Sequence, residues 1–329
     1  MEEISPSLFL VLGPHRSGSS ISTRTLEILG LNLGNNLLGG DPSSNEMGHF
    51  EELSVLQFNE KILLDSNTNW MDPTPLKNND FFEKNRTIIK SELEVLLNVL
   101  IEVDRIEAIK EPRISLMLEL WEPALFKYFE KLGIVLTIRH PSEVAESLKR
   151  RNGLNYILGH IIWVQSTINS LRFARSHRNH FLFYDNLIKD TEDTVRELSG
   201  FLGKRSVFES QKDSLRDNVL SDFRHHEVQS DVISKLFLSS EIYHYLLSHK
   251  NASEDSFPNE LLDLWQARLL SIQNEVNWKK LIQADESSEK TKTQERDQLT
   301  QERELVYSST IWRSTKFLRI LISKLLRRN

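Results

Sequence analysis

The 329-residue chain contains no cysteine. That excludes a disulfide framework and a thiolate zinc site, so the fold must rest on its core, and a reducing, cytoplasmic compartment is the expected location. Positive charge is not in excess either: 41 Lys and Arg against 47 Asp and Glu give a net charge of -6. This is the wrong sign for neutralising a phosphate backbone, so nucleic acid is not an expected partner. No apolar stretch reaches the roughly 18 residues of a membrane span, and the opening "MEEISPSLFLVLG" is acidic with a short apolar run, the reverse of a signal peptide. There is no internal repeat. The ten histidines form no His-Glu-x-x-His or comparable ligand cluster, so no metal is expected. What is present is 39% hydrophobic content, enough for the core of one large domain or two small ones.

Short apolar runs alternate with longer helical patterns. Strands are expected at Leu8 to Leu12, Ile106 to Lys110, Ile134 to Ile138 and His180 to Tyr184. None shows polar alternation, which fits strands buried on both faces: an α/β fold, a parallel sheet flanked by helices. Helices are expected at Ser19 to Leu29, Leu53 to Leu64, Phe81 to Val103, Pro141 to Arg151, Tyr156 to Arg175, Thr191 to Leu202 and Val232 to Ser248. This domain spans 1–282. Residues 283–305 are almost wholly polar and form a linker or solvated helix, and 306–329 are a basic amphipathic helical extension.

"FLVLGPHRSGSSISTRTLEILG" (Phe9 to Gly30) passes from an apolar strand through a glycine-bounded loop into an amphipathic helix. Backbone NH groups of such a turn and the positive end of the helix hold an anion; the plain alternative is a tight, glycine-rich turn. Ser19 stands where the triphosphatase loop G-x-x-x-x-G-K-[ST] has its lysine. Arg16 offers instead a planar fork for two oxygens of a phosphate or sulfate. A second stretch, "LTIRHPSEVAESLKRR", ends a buried strand in Arg139 at the sheet edge where open α/β folds bind ligands.

"PHRSGSS" resembles the 5'-phosphosulfate loop, P-[KR]-S-G-[TS]-[TS], of the sulfotransferase family, whose donor is 3'-phosphoadenosine 5'-phosphosulfate; the arginine form resembles the tyrosylprotein branch and many bacterial members. The resemblance implies that Arg16, Ser17, Gly18, Ser19 and Ser20 hold the 5'-phosphosulfate. Arg139, Pro141 and Ser147 reproduce the spacing of the family's 3'-phosphate motif. "AIKEPRISLMLELW" resembles the Lys-Asp-Pro-Arg segment of bacterial members, with Glu111 in place of the acid and Lys110 and Arg113 facing the same crevice. "HFLFYDNLIKDTEDTVRELSGFLG" resembles the family's strand, acid and Phe-Leu-Gly helix; the competing reading is a Walker B strand. The glycine-rich C-terminal motif of the cytosolic branch is absent, leaving "FRHH" at Phe223 to His226 to cover the adenosine.

The resemblance implies a sulfotransferase with a hydroxyl acceptor and no metal. Its base would come from "NEMGHFEELSVLQFNEKIL": Glu51 first, then Glu46, His49 and Glu52, a carboxylate there needing a pKa raised by partial burial to be effective. Two other readings stand beside it, a P-loop kinase or triphosphatase and a non-catalytic nucleotide-binding scaffold. Between Arg313 and Arg328 lie six basic residues and no acid. With Trp312, Phe317, Ile320, Leu321 and Leu325 these suit an anionic membrane surface at its cytoplasmic face, or packing on protein. "SSTIWRSTKFLR" also resembles the tail of bacterial polysaccharide-assembly enzymes, which makes a surface glycan the expected acceptor.

Overall fold

A computed structural model describes residues 8–40, 48–73, 76, 79–220, 238–249 and 257–275. Its centre is a wholly parallel sheet of β1 (Leu8–Leu12), β2 (Ala108–Lys110), β3 (Leu132–Ile138) and β4 (Arg178–Phe183), in the order β2-β1-β3-β4. Every residue of β1 and β3 is buried, the condition under which a strand needs no polar alternation. The pleat divides their side chains between two cores. Leu8, Leu10 and Leu12 join Ile109, Ile134, Leu136 and Phe183 on one face; Phe9 and Val11 join Ala108, Val135 and Leu182 on the other.

Helices cover both faces, as the strand pattern led us to expect. One core is completed by α2 (Leu53–Asp65), α3 (Asp80–Asn98), α4 (Leu118–Leu125), α5 (Pro141–Asn152), α6 (Tyr156–Ala174), α10 (Leu238–Ser248) and α11 (Asn259–Glu275). The other is completed by α1 (Ser19–Ile28), α7 (Tyr184–Lys189), α8 (Thr191–Phe201) and α9 (Arg205–Leu220).

Several boundaries differ from the expected ones. The helix expected through Val103 changes to a π turn at Val99–Val103. The strand expected from Ile106 begins at Ala108, because Ile106 N bonds back to Leu100 O and Glu107 N to Asn32 O. Tyr184 does not end β4 but opens α7. A 3-10 helix at Pro112–Leu116, with α4, α7, α9 and α11, was not anticipated. Glu46, Phe223 to His226, Val232 to Phe237, the linker 283–305 and the extension 306–329 lie outside the described residues. Among the described residues no helix is long and apolar enough to cross a membrane.

The strand order fixes where a site can form. The chain steps from β1 to β2 on one side and then to β3 on the other, so the segments leaving β1 and β3 diverge and open a crevice at their carboxyl ends. Beneath it the core is anchored by Trp121, which is fully buried. Its ring meets Phe58 edge-on at 6.3 Å, and its Nε1 donates to Asn59 Oδ1 at 3.1 Å. Trp121→Ala should therefore cost about 3–5 kcal/mol. In urea the unfolding midpoint should fall with the slope unchanged; an unshifted midpoint would show that the core closes over the gap.

Candidate functional site

The loop after β1 is shaped by close backbone approach. Gly13 has φ +139°, and a Cβ there would lie 2.5 Å from Thr137 Oγ1 and 2.7 Å from the Thr137 carbonyl oxygen. Gly18, at φ +91°, caps α1, and a side chain there would strike the Tyr184 ring. Between them Arg16 adopts φ +67°, unusual for a residue with a Cβ and costing on the order of 1–3 kcal/mol. Hydrogen bonds hold this shape. Thr137 Oγ1 donates to Leu12 O at 3.1 Å, which leaves Ser17 Oγ to donate to Thr137 Oγ1 at 2.7 Å.

The two expected phosphate motifs meet here. Arg16 Nε donates to Ser147 Oγ at 2.9 Å across 131 residues of sequence, and Arg139 Nη1 donates to Arg16 O at 3.4 Å. Arg139 leaves the end of β3 between two supports: its Nε donates to Glu143 Oε2 at 2.8 Å, and its guanidinium lies 4.3 Å from the Tyr184 ring centre. Trp163 Nε1 fixes the Arg139 carbonyl at 3.1 Å. Pro141 occupies the first turn of α5 behind His140, whose Nδ1 accepts from Ser142 N. Burial, then the charges of Arg151 and Arg139, lower Arg16 to about 10, so it stays a cation at neutral pH. Ser19 and Ser20 open α1, whose first turn carries no acid. Ser20 Oγ reaches His49 O at 3.5 Å.

A second group of charges lies at the end of β2. Lys110 Nζ donates to Glu51 Oε1 at 2.5 Å and to His49 O at 2.9 Å. Arg113 pairs with Glu60 and, through Nη1 at 2.7 Å, with Glu111 Oε1, while Asn59 Nδ2 donates to Glu111 Oε2 at 2.5 Å. Burial raises the Glu111 carboxyl to about 7 against the pull of Arg113. Glu51 moves the other way. Burial alone would raise its carboxyl, but Lys110 and Arg113 together outweigh that and hold it below the ordinary range. The raised pKa that a base at Glu51 would need is thus not found, because its partner is a buried ammonium from a segment 59 residues away. Glu52 caps α2, its carboxylate accepting from Ser54 N and Val55 N, and His49 is lowered to about 4, first by burial.

Lys110, Arg113, Glu51 and His49 therefore stand together on one side of the loop, and Ser147 and Arg139 on the other. Sequence reading missed Thr137, Tyr184, Arg151 and Trp70. Thr137 is the lone polar side chain in "LGIVLTI", Tyr184 is the first residue beyond β4, and Arg151 stands one helical turn past Ser147. These three had a positional signal but no chemical one. Among the described residues no group of three or more His, Cys, Asp or Glu side chains could hold a metal ion.

No protein-family model and no curated protein matches the chain. Solved structures similar to it include two sulfotransferase domains. The sulfotransferase domain from the Synechococcus PCC 7002 olefin synthase is 18% identical, with 75% of this chain and 97% of that one covered and a TM-score of 0.43. The sulfotransferase domain from the curacin biosynthetic pathway is also 18% identical, with 74% and 98% covered and a TM-score of 0.41.

The Lys110–Glu51 pair generates a pH-dependent prediction. Both side chains are nearly inaccessible, so Lys110→Met strands a buried carboxylate and should cost about 3–5 kcal/mol. In the native protein the lowered carboxyl contributes stability above the ordinary carboxylate range, and this is lost as pH falls through the lowered value. With Lys110 gone, burial dominates and the sign reverses, so the deficit should be larger at pH 8 than at pH 5. Denaturant unfolding of both proteins at the two pH values measures it, and a deficit independent of pH would show that the pair does not govern Glu51.

Proposed function

We propose that the protein is a sulfotransferase that moves a sulfuryl group from 3'-phosphoadenosine 5'-phosphosulfate to an acceptor hydroxyl. The observation that carries this reading is the 2.9 Å bond from Arg16 Nε to Ser147 Oγ. It joins, at one crevice, the loop that resembles a 5'-phosphosulfate cradle and the helix that resembles a 3'-phosphate site. A donor bearing anions at both ends would exchange that bond for contacts of its own. In the transfer the acceptor hydroxyl oxygen attacks sulfur in line and passes its proton by way of the ionised Glu51 carboxylate to solvent, while the bond from sulfur to the bridging phosphate oxygen breaks and its electron pair stays on the leaving 5'-phosphate. Arg16 and the amino end of α1 stabilise the charge that grows on the leaving 5'-phosphate. Arg139 and Ser147 hold the 3'-phosphate.

A triphosphatase reading would need a lysine at Ser19 and an acid facing the loop from β4. The acid of "FLFYD", Asp185, sits instead in the first turn of α7, 3.6 Å from Lys189. The acceptor we propose is a saccharide of a bacterial surface glycan, supported by the resemblance of "SSTIWRSTKFLR"; the basic segment 306–329 would keep the enzyme at an anionic membrane.

At a hundredfold excess over its dissociation constant, 3',5'-adenosine bisphosphate should stabilise the fold by about 2.7 kcal/mol, read as a higher melting temperature. ATP with magnesium should leave it unchanged; a shift with ATP alone would replace this reading with the triphosphatase one. Arg16→Ala should abolish sulfuryl transfer while the protein stays folded, and retained transfer would sink the cradle assignment. Arg139→Ala should weaken the bisphosphate but spare nucleotides lacking a 3'-phosphate; equal losses for both would make Arg139 a support of the fold.

A further inference from the structure

Between Pro14 and Arg16 the loop carries a side chain that neither the anion cradle nor the transfer step has used. The His15 imidazole packs on Trp70 with ring centres 4.1 Å apart. Its Nε2 is shielded from solvent and has no hydrogen-bond partner among the described residues. A polar atom in that state bears its full desolvation penalty, which a ligand would relieve.

Four cations face His15: Arg113 from the turn after β2, Arg151 from α5, Lys110 from the end of β2, and Arg16 from its own loop. Three cations of the crevice are matched by acids already, Lys110 by Glu51, Arg113 by Glu111 and Glu60, and Arg139 by Glu143. His49 lies among the same group, facing Glu51, Lys110, Arg151 and Arg16. Burial first, then the four cations, hold His15 well below the ordinary imidazole range, so its ring is neutral at pH 7.

A bound donor changes that balance. Its 3'-phosphate alone carries about -1.5 to -2 at neutral pH, and the phosphosulfate adds a charge on each of its groups. Anions of this size offset the cations that keep His15 neutral, and the Trp70 face favours a cationic ring stacked on it.

We infer that His15 is a donor-binding residue: as the anion enters the Gly13–Ser20 loop, the imidazole takes a proton from solvent and donates a charge-assisted hydrogen bond from Nε2. The inference rests on the reading of that loop as the phosphosulfate cradle. It makes binding and proton uptake a single linked event, and it favours ligands whose anionic groups carry more charge.

The test is calorimetric titration of the full chain with 3',5'-adenosine bisphosphate at pH 7 and 8, in paired buffers of different ionisation enthalpy. The native protein should take up protons on binding, and its affinity should rise by up to about tenfold per pH unit as pH falls. In His15→Gln the uptake should drop and the pH slope flatten, with affinity at pH 7 reduced roughly tenfold to a hundredfold. The native titration in paired buffers reads the uptake without any variant. Native binding without uptake overturns the role of His15 and leaves the cradle standing. Uptake undiminished in His15→Gln does the same and transfers the proton to His49. Failure of the native protein to bind the bisphosphate at all overturns the cradle and the inference together.

Discussion

The nearness of two strand ends is the constraint from which the rest of the crevice follows. β1 and β3 are neighbours with residues Leu8 to Leu12 paired to Leu132 to Leu136, so the chain leaving β1 must turn directly against Thr137. Only a residue without a side chain fits there: Gly13 takes φ +139°, and a Cβ on it would come within 2.7 Å of the Thr137 carbonyl oxygen. Thr137 then receives Ser17, Arg16 is thrown outward toward α5, and Arg139 emerges beside it from the next strand. None of these contacts is local in sequence. All are local to one point of the sheet.

The crevice is also organised by where its acids stand. Glu51 pairs with Lys110, Glu111 and Glu60 with Arg113, and Glu143 with Arg139, so each of these cations is oriented by a carboxylate. Such buried pairs contribute little net stability, but they are strongly destabilising when half is removed. Here they fix the direction of long side chains that would otherwise lose rotamer freedom on meeting a ligand. Asn59 ties this group to the interior, donating to Glu111 and accepting from Trp121. The charge cluster and the apolar core therefore share one residue.

The sheet and the loop were legible in the sequence because burial on both faces leaves unbroken apolar runs, and because glycines bracket a strand-to-helix turn. The pairing of Arg139 at the end of β3 with Ser147 in α5 was legible only through the resemblance to the family's 3'-phosphate motif. What could not be read were properties set by partners far along the chain. A base at Glu51 would need a pKa raised by partial burial, but the ammonium that lowers it comes from β2. Tyr184 looked like the last residue of a strand; it is the ring beneath Arg139 and the wall against Gly18. Helix α4 was hidden by Pro123 inside it, and α11 by a largely polar surface that buries only Leu262, Trp265 and Leu269 fully.

The pairing of β1 with β3 has a consequence for biosynthesis. β1 leaves the ribosome early, yet its partners are Ala108 to Lys110 and Leu132 to Leu136. Throughout the intervening elongation an entirely apolar segment has no sheet to join, and contacts of such sequence separation form late. Truncated chains released before β3 would expose it, and an unpaired apolar segment of this kind promotes aggregation. The order of translation thus leaves β1 without its full pairing until the strand that carries Thr137 has been made.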